Sequence, residues 1–310
     1  MAGVSILVVG SINMDLVVRC PHMPGPGETV LGSDFFTSPG GKGANQAVAA
    51  TRLGAHCRLI GRVGDDDFGQ TLRANLEKEQ VDCRSVYLTE GASSGVAMIV
   101  IDSRGENSIV VASGANYRVT PDDVFCEDEA FSQASVVVLQ LELPLPTVRA
   151  AIEQARRHGC RVVLDPAPAP RAMADELFNV DVISPNVSEA EILLDAKPTV
   201  DRIDKVVAAD LLNRGAKVAV LKLGRRGAML ATADGQFHRI GPYRVPVVDT
   251  TAAGDAFTGA LAVALARGDK LGDTVKFANA AGALACTRMG AQQAMPTLDE
   301  VMLLMTDQPQ

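Results

Sequence analysis

No apolar stretch of this 310-residue chain approaches the about eighteen residues that a membrane-spanning helix needs, and no basic-then-apolar segment opens it. Neither a membrane span nor a signal peptide is expected. Basic charge is also scarce. Lys and Arg number 29 against 37 Asp and Glu, and the net charge of −8 argues against non-specific binding to nucleic acid or to an anionic membrane. The six cysteines (Cys20, Cys57, Cys83, Cys126, Cys160, Cys286) form no CxxC pair, and the four histidines (His22, His56, His158, His238) are equally scattered. A zinc site is therefore not expected, and the cysteines are expected to remain free thiols in a reducing cytoplasm. Two nucleotide motifs are missing as well. No G-x-G-x-x-G follows the first apolar run, which weakens a nicotinamide dehydrogenase. A Walker A loop needs a glycine five residues before the Gly41–Lys42 pair, where Phe36 stands.

What remains is a composition with 47% apolar and 21% charged residues, that of a soluble globular protein long enough for a substantial core. Continuous apolar runs at 4–10, 57–63, 135–141, 161–165, 180–185 and 217–224 suit strands buried on both faces. Helical patterns lie between them at 43–53, 68–80, 145–158, 187–195 and 202–214, and two more helices are predicted after Gly254. The alternation predicts an α/β fold with a mostly parallel central sheet covered by helices on both faces. Two stretches break the rhythm: 12–38, with its proline-rich CPHMPGPGE, and 94–112, which reads as a hairpin turning at DSRGEN. No linker or repeat divides the chain, so a single domain over 1–310 is expected, apart from a short polar C-terminal tail.

Two glycine-rich segments carry the chemistry. In VDTTAAGDAFTGA (248–260), small residues lead into a helix with Asp255 at its mouth. A helix start leaves its first N–H groups unpaired and partly positive, so it suits an anion. A carboxylate there repels phosphate, but makes sense as the base for an attacking hydroxyl. Helix capping by Asp255 is the plain alternative. The second segment, SPGGKGANQAVAATRLG (38–54), brings Gly40, Gly41 and Gly43 to a helix start, where Lys42 and Asn45 can meet a hydroxyl-rich ligand. Taken alone, this segment is better explained by a strand-to-helix turn with glycines for close packing. Asn13 and Asp15 follow the first strand, and Glu142 ends another, all where open α/β sheets bind ligands, although Asn and Asp after a strand also commonly serve a turn.

Together these segments resemble the two signatures of the ribokinase-like family of carbohydrate kinases. Further matches occur in the family's order: GSINMDLV (10–17), PGETV (26–30), GDD (64–66), GAN (114–116), LQLELP (139–144), PNVSEAE (185–191) and TRMGAQ (287–292). The resemblance implies ATP-dependent phosphorylation of a sugar, D-ribose at its 5-hydroxyl, with Asp255 as base and an anion hole of Ala252, Ala253, Gly254 and Asp255. It puts Asn13, Met14, Asp15, Gly41, Lys42, Gly43, Ala44, Asn45 and Glu142 around the sugar. Nucleotide and Mg2+ are implied at Asn186, Glu189, Lys222, Leu223, Gly224, Arg225, Arg226, Gly227, Gly254 and Asn279. Asn186 and Glu189 also have the form of a capping box, and both roles can hold together. Lys222 stands where the family commonly has Thr. An activating K+ is implied on main-chain carbonyls of Asp249, Thr251, Ala285, Arg288, Gly290 and Ala294. The two excursions would form a small β-sheet lid that doubles as a homodimer surface. A kinase for deoxyribose, another sugar or a nucleoside stays open, as does a non-catalytic sugar sensor.

Overall fold

The computed structural model describes residues 4–195 and 203–310. Among the described residues thirteen strands are formed: β1 (Ser5–Val9), β2 (Asn13–Arg19), β3 (Asp34–Gly40), β4 (His56–Gly64), β5 (Val86–Thr89), β6 (Gly95–Ile101), β7 (Asn107–Ala112), β8 (Val136–Leu139), β9 (Arg161–Leu164), β10 (Val182–Ile183), β11 (Val218–Lys222), β12 (Ala228–Thr232) and β13 (Phe237–Ile240). The α-helices are α1 (Lys42–Arg52), α2 (Asp67–Lys78), α3 (Pro121–Phe125), α4 (Asp128–Gln133), α5 (Leu145–Arg157), α6 (Val187–Leu194), α7 (Ile203–Asn213), α8 (Ala253–Arg267), α9 (Leu271–Ala285) and α10 (Leu298–Asp307). Position 202 of the expected 202–214 helix lies outside the described residues.

Nine strands form the main sheet, in the order β13-β12-β11-β10-β9-β8-β1-β4-β5. From β5 to β11 all neighbours are parallel. β12 and β13 extend the β11 edge antiparallel. The apolar run of β1 serves both faces, as period-two alternation requires. Ile6 and Val8 pack under α1, α8 and α9, whereas Leu7 and Val9 join the opposite core beneath α5 and α7. The expected two-faced α/β fold is thus observed.

A separate four-stranded sheet, β3-β2-β6-β7, gathers the two excursions. β2 and β6 run parallel, and β2/β3 and β6/β7 antiparallel. Asn13 pairs with Gly40 and Gly95, and Asp15 with Ser38 and Ala97, so both polar side chains share one face of this sheet. All of β7 is exposed. The α8 helix ends at Gly268 in the left-handed region, and α9 stops at Ala285, short of the TRMG segment.

Candidate active site

The predicted residues converge where the carboxyl ends of the main strands meet α1, α8 and the small sheet. Asp255, in the first turn of α8, is buried. Its Oδ2 accepts from Asn45 Nδ2 at 2.9 Å and its Oδ1 from Gln46 Nε2 at 3.0 Å, both on α1. The residue before the helix, Ala252, has φ 56°, a strained conformation for a side chain with a Cβ. That bend leaves the N–H groups of Ala252, Gly254 and Asp255 with no acceptor among the described residues, while Ala253 N–H bonds Thr250 O at 3.3 Å. The helix start is therefore an open cluster of donors with a fixed carboxylate beside it.

Facing it, Asn13 is held by Asn116, whose Nδ2 donates to Asn13 Oδ1 at 2.7 Å and to Ile12 O at 3.1 Å. The Asn13 amide N–H groups have no acceptor among the described residues. Asp15 has no hydrogen-bond donor among the described residues, and lies against Gly40, where a Cβ would fall 2.3 Å from its Oδ2. Only glycine admits that approach. Burial, together with the charges of Glu142 and Asp255, pushes the Asp15 carboxyl up to about 7. Glu142 Oε2 accepts from Ser11 Oγ at 2.5 Å and from Lys42 N at 3.3 Å. Gly41, at φ 89°, takes a turn that favours glycine and starts α1. Burial opposes the charge of Lys42, but Asp255, Asp165, Glu142 and Glu189 outweigh it and raise its pKa. Met14 and Ala44 turn their side chains into the core, leaving only their main chain for a ligand.

A cleft of about 800 Å3 opens on the other side of the α8 start, lined by Lys222, Gly224, Arg225, Gly227, Gly254 and Asn279 among others. Two residues of the expected nucleotide set turn away from it. Leu223 is buried in the core, and Arg226 pairs with Asp204 at 3.0 Å. Asn279 Nδ2 donates to Gly241 O at 3.1 Å. The capping box of Asn186 and Glu189 is formed, with Glu189 Oε2 accepting Asn186 N–H at 2.7 Å and Asn186 Oδ1 accepting Glu189 N–H at 2.8 Å. Burial raises the Glu189 carboxyl, and its other oxygen has no donor among the described residues. An acceptor for metal-bound water is thus available, and the Asn186 amide N–H groups remain for phosphate. No cluster of three or more His, Cys, Asp or Glu side chains among the described residues forms a metal cage. Mg2+ would accordingly be held largely through phosphates and water, as its chemistry favours.

The implied K+ segments do meet. Asp249 Oδ2 accepts Gly290 N–H at 2.9 Å, while its Oδ1 accepts the N–H and hydroxyl of Thr251 at 2.9 and 2.7 Å. Burial opposes the charge, yet these donors hold the Asp249 carboxyl below its ordinary value. The main-chain carbonyls of Asp249, Thr251, Ala285, Arg288, Gly290 and Ala294 accept no hydrogen bond from the described residues. The Arg288 side chain itself pairs with Glu300.

The sequence patterns did not single out Gln46, Asp165, Thr258 or Asn116 as functional. Asp165 has the same signal as Glu142, a carboxylate at the end of an apolar strand. It accepts from Gln46 Nε2 at 3.0 Å, Thr258 Oγ1 at 3.1 Å and Lys222 Nζ at 2.8 Å. Gln46 thus bridges Asp165 and Asp255, and its own Oε1 accepts Gln140 Nε2 at 2.6 Å.

A fixed carboxylate beside open helix-start donors, with polar residues on one side and a large cleft on the other, is the geometry of an enzyme that moves a phosphoryl group onto a hydroxyl. The chain belongs to the pfkB family of carbohydrate kinases, whose family model matches residues 4–298. It is 39% identical over 308 residues to the ribokinase of Schizosaccharomyces pombe, with 96% of each chain covered. A deoxyribokinase of Salmonella typhi is 36% identical over 298 residues, covering 95% of this chain and 96% of that one. The solved structure of Arabidopsis thaliana ribokinase complexed with ribose and ATP matches with a TM-score of 0.89 and 32% identity, covering 98% of this chain and 99% of that one. The fold is therefore ribokinase-like.

Proposed function

We propose that this kinase transfers the γ-phosphoryl group of ATP to the 5-hydroxyl of D-ribose, giving D-ribose 5-phosphate. The observation that carries the reading is Asp255, oriented by Asn45 and Gln46 beside the open N–H groups of Ala252, Gly254 and Asp255. Asp255 accepts the proton of the attacking hydroxyl, and those N–H groups hold the negative charge on the migrating phosphoryl group. Asn13, Asp15, Gly41, Lys42, Asn45 and Glu142 bind the sugar hydroxyls, assisted by the main chain of Met14, Gly43 and Ala44. The ATP phosphates and base follow the cleft along Gly224, Arg225, Gly227, Gly254 and Asn279. Bound Mg2+ would neutralise phosphate charge, with Glu189 toward its water shell and Asn186 toward phosphate. Bound K+ would offset negative charge beneath the loop at 249–253.

The small sheet acts as a lid of the single domain and excludes water from the sugar. Its exposed apolar residues, among them Phe35, Met98 and Val110, support a homodimer through this surface. Among the described residues no helix is long and apolar enough to cross a membrane. A cytoplasmic location is consistent with the free cysteines.

The deoxyribokinase similarity supports 2-deoxyribose as a second reading. Asn13, Asp15 and Glu142 form a dense polar lining, and a missing hydroxyl would leave a polar group unpaired at a cost of about 1–3 kcal/mol. Coupled ADP release across pentoses, hexoses and nucleosides tests the assignment. D-ribose is expected to exceed 2-deoxyribose at least ~10-fold in kcat/KM. A preference for deoxyribose, a hexose or a nucleoside overturns the ribose assignment.

A further inference from the structure

Lys222 is placed against the usual electrostatic preference. Its Nζ lies 3.5 Å from the position a Cβ on Gly254 would take, beside the positive end of α8. Helix starts favour anions, so a cation here raises the positive potential further. Its side chain is 11% exposed, and that of its partner Asp165 only 1%. The ammonium donates to Asp165 Oδ1 at 2.8 Å and to no other acceptor among the described residues. A lysine has three donors, so two of them have no partner among the described residues, and Lys222 lines the cleft. The pair is also aligned by main chain: Lys222 N–H bonds Pro185 O at 2.9 Å, which brings the end of β11 against the Asn186 helix start.

We propose that Asp165 is a positioning residue that holds the Lys222 ammonium at the helix start, where Lys222 meets the transferring phosphoryl group. The inference rests on the kinase reading above, though not on which sugar is used. Asp165 is itself fixed by Gln46 and Thr258, and Thr258 Oγ1 also bonds Gly254 O at 2.9 Å. One carboxylate therefore ties the cation to the two structural parts it must serve: the α1 side chain that orients the base, and the first turn of α8. The arrangement sets the ammonium and the open N–H groups of α8 as local donors for an anion among the surrounding carboxylates. A γ-phosphoryl group gains more from it than the shorter diphosphate does.

The test uses Lys222→Thr, Asp165→Asn and the double variant, with thermal melting to establish that each is folded. Lys222→Thr is expected to lower kcat at least ~10-fold with the sugar KM changed less than ~3-fold. Asp165→Asn retains acceptors for Gln46 and Thr258 but loses the ionic hold on Lys222, so it is expected to show the same split. The double variant is expected to be no slower than the slower single one, because Asp165 acts through Lys222. Calorimetry with ATP and ADP supplies a readout independent of turnover: both single variants are expected to lose affinity for ATP more than for ADP. If kcat and the ATP-to-ADP preference are unchanged in the folded single variants, or if their losses multiply in the double variant, the proposal is overturned. A parent that turns over another sugar but not ribose would refute only the substrate assignment, and the calorimetric comparison would still decide this one.

Discussion

On the main-sheet side of the site Asp255 and Asp165 are each bonded through both oxygens; on the small-sheet side Asp15 is bare. Asp255 receives two amide hydrogen bonds, and Asp165 receives three side-chain donors. Asp15 has none among the described residues, although Glu142 and Asp255 both press negative charge on it. The bonded half is built into the interface of α1, α8 and the strand ends, where a buried unpaired group would be costly. The bare half stands on β2, in a sheet whose outer strand β7 is wholly exposed. The difference teaches a division of labour. On the proposed reading, the base and anion hole are organised before any ligand arrives, whereas the acceptor assigned to the sugar is left in a destabilising state that hydroxyl donors would relieve.

Removing the organised half has the largest expected effect. Asp255→Asn keeps the volume and the fold but removes the proton acceptor, so kcat is expected to fall by ~10²–10⁴. Sugar affinity measured by calorimetry should change only a few-fold. A variant that phosphorylates ribose within a few-fold of the parent rate would show that Asp255 is not the base.

Asp15 tests the bare half. Asp15→Asn is expected to reduce sugar kcat/KM by about one order of magnitude or more, chiefly through KM. Its stability effect has the opposite sign. The folded-state pKa of about 7 stands above the ordinary 3.8, so the folded protein favours protonated Asp15. The associated stability is present below about pH 4 and lost as pH rises toward and through 7. Asn cannot ionise, so the variant should gain melting temperature over the parent, more at pH 8 than at pH 5. Parallel melting curves of parent and variant across this range would contradict the bare-carboxylate picture.

The same contrast explains what was legible in the sequence. Long apolar runs such as that of β1 announce strands covered on two faces, and the helical patterns between them announce their covers. The antiparallel edge was not legible: β12 and β13 are only five and four residues long, and β13 is half exposed, so its pattern is short and mixed. The last helix, α10, buries only Val301 fully, although Thr297 and Glu300 do form a capping box at its start. In the site, Asp255 is legible because its neighbours are small and glycine marks the helix mouth. Gln46 and Asp165 are not, because a buried glutamine on a small-residue helix and an aspartate after a strand acquire meaning only when folding brings α1, β9 and α8 together. The Lys222–Asp165 pair is equally long-range, its members lying 57 positions apart.

The exposed sheet supplies a further test. Val110, 68% exposed on β7, pairs across the strands with Met98, also exposed. Val110→Glu is expected to leave the melting temperature of the fold nearly unchanged while shifting a dimer toward monomer in light scattering. Loss of ribose turnover should be no more than a few-fold. A parent that is monomeric at micromolar concentration would refute the dimer surface.

The smallest expected effect sharpens the comparison from the bonded side. The loop before α8 has threonine and alanine where larger side chains would pack, and its strained Ala252 relies on distant ties. One tie is Asp249, whose carboxylate joins Thr251 to Gly290; on the proposed reading, the six carbonyls left open in this region would hold a cation. At saturating ATP and ribose, K+ is therefore expected to raise turnover a few-fold over Na+ or Li+, whose stronger hydration opposes transfer to carbonyls. Asp249→Asn retains one acceptor but loses half of the latch, and it should blunt the response to K+. Ionic strength must be held constant, because screening alone can alter the rate of a site with this many charges. The response in a bulky organic cation separates the two causes. Equal rates in that cation and in K+ would remove the carbonyl site from the mechanism and leave the protein latch alone to shape the anion hole.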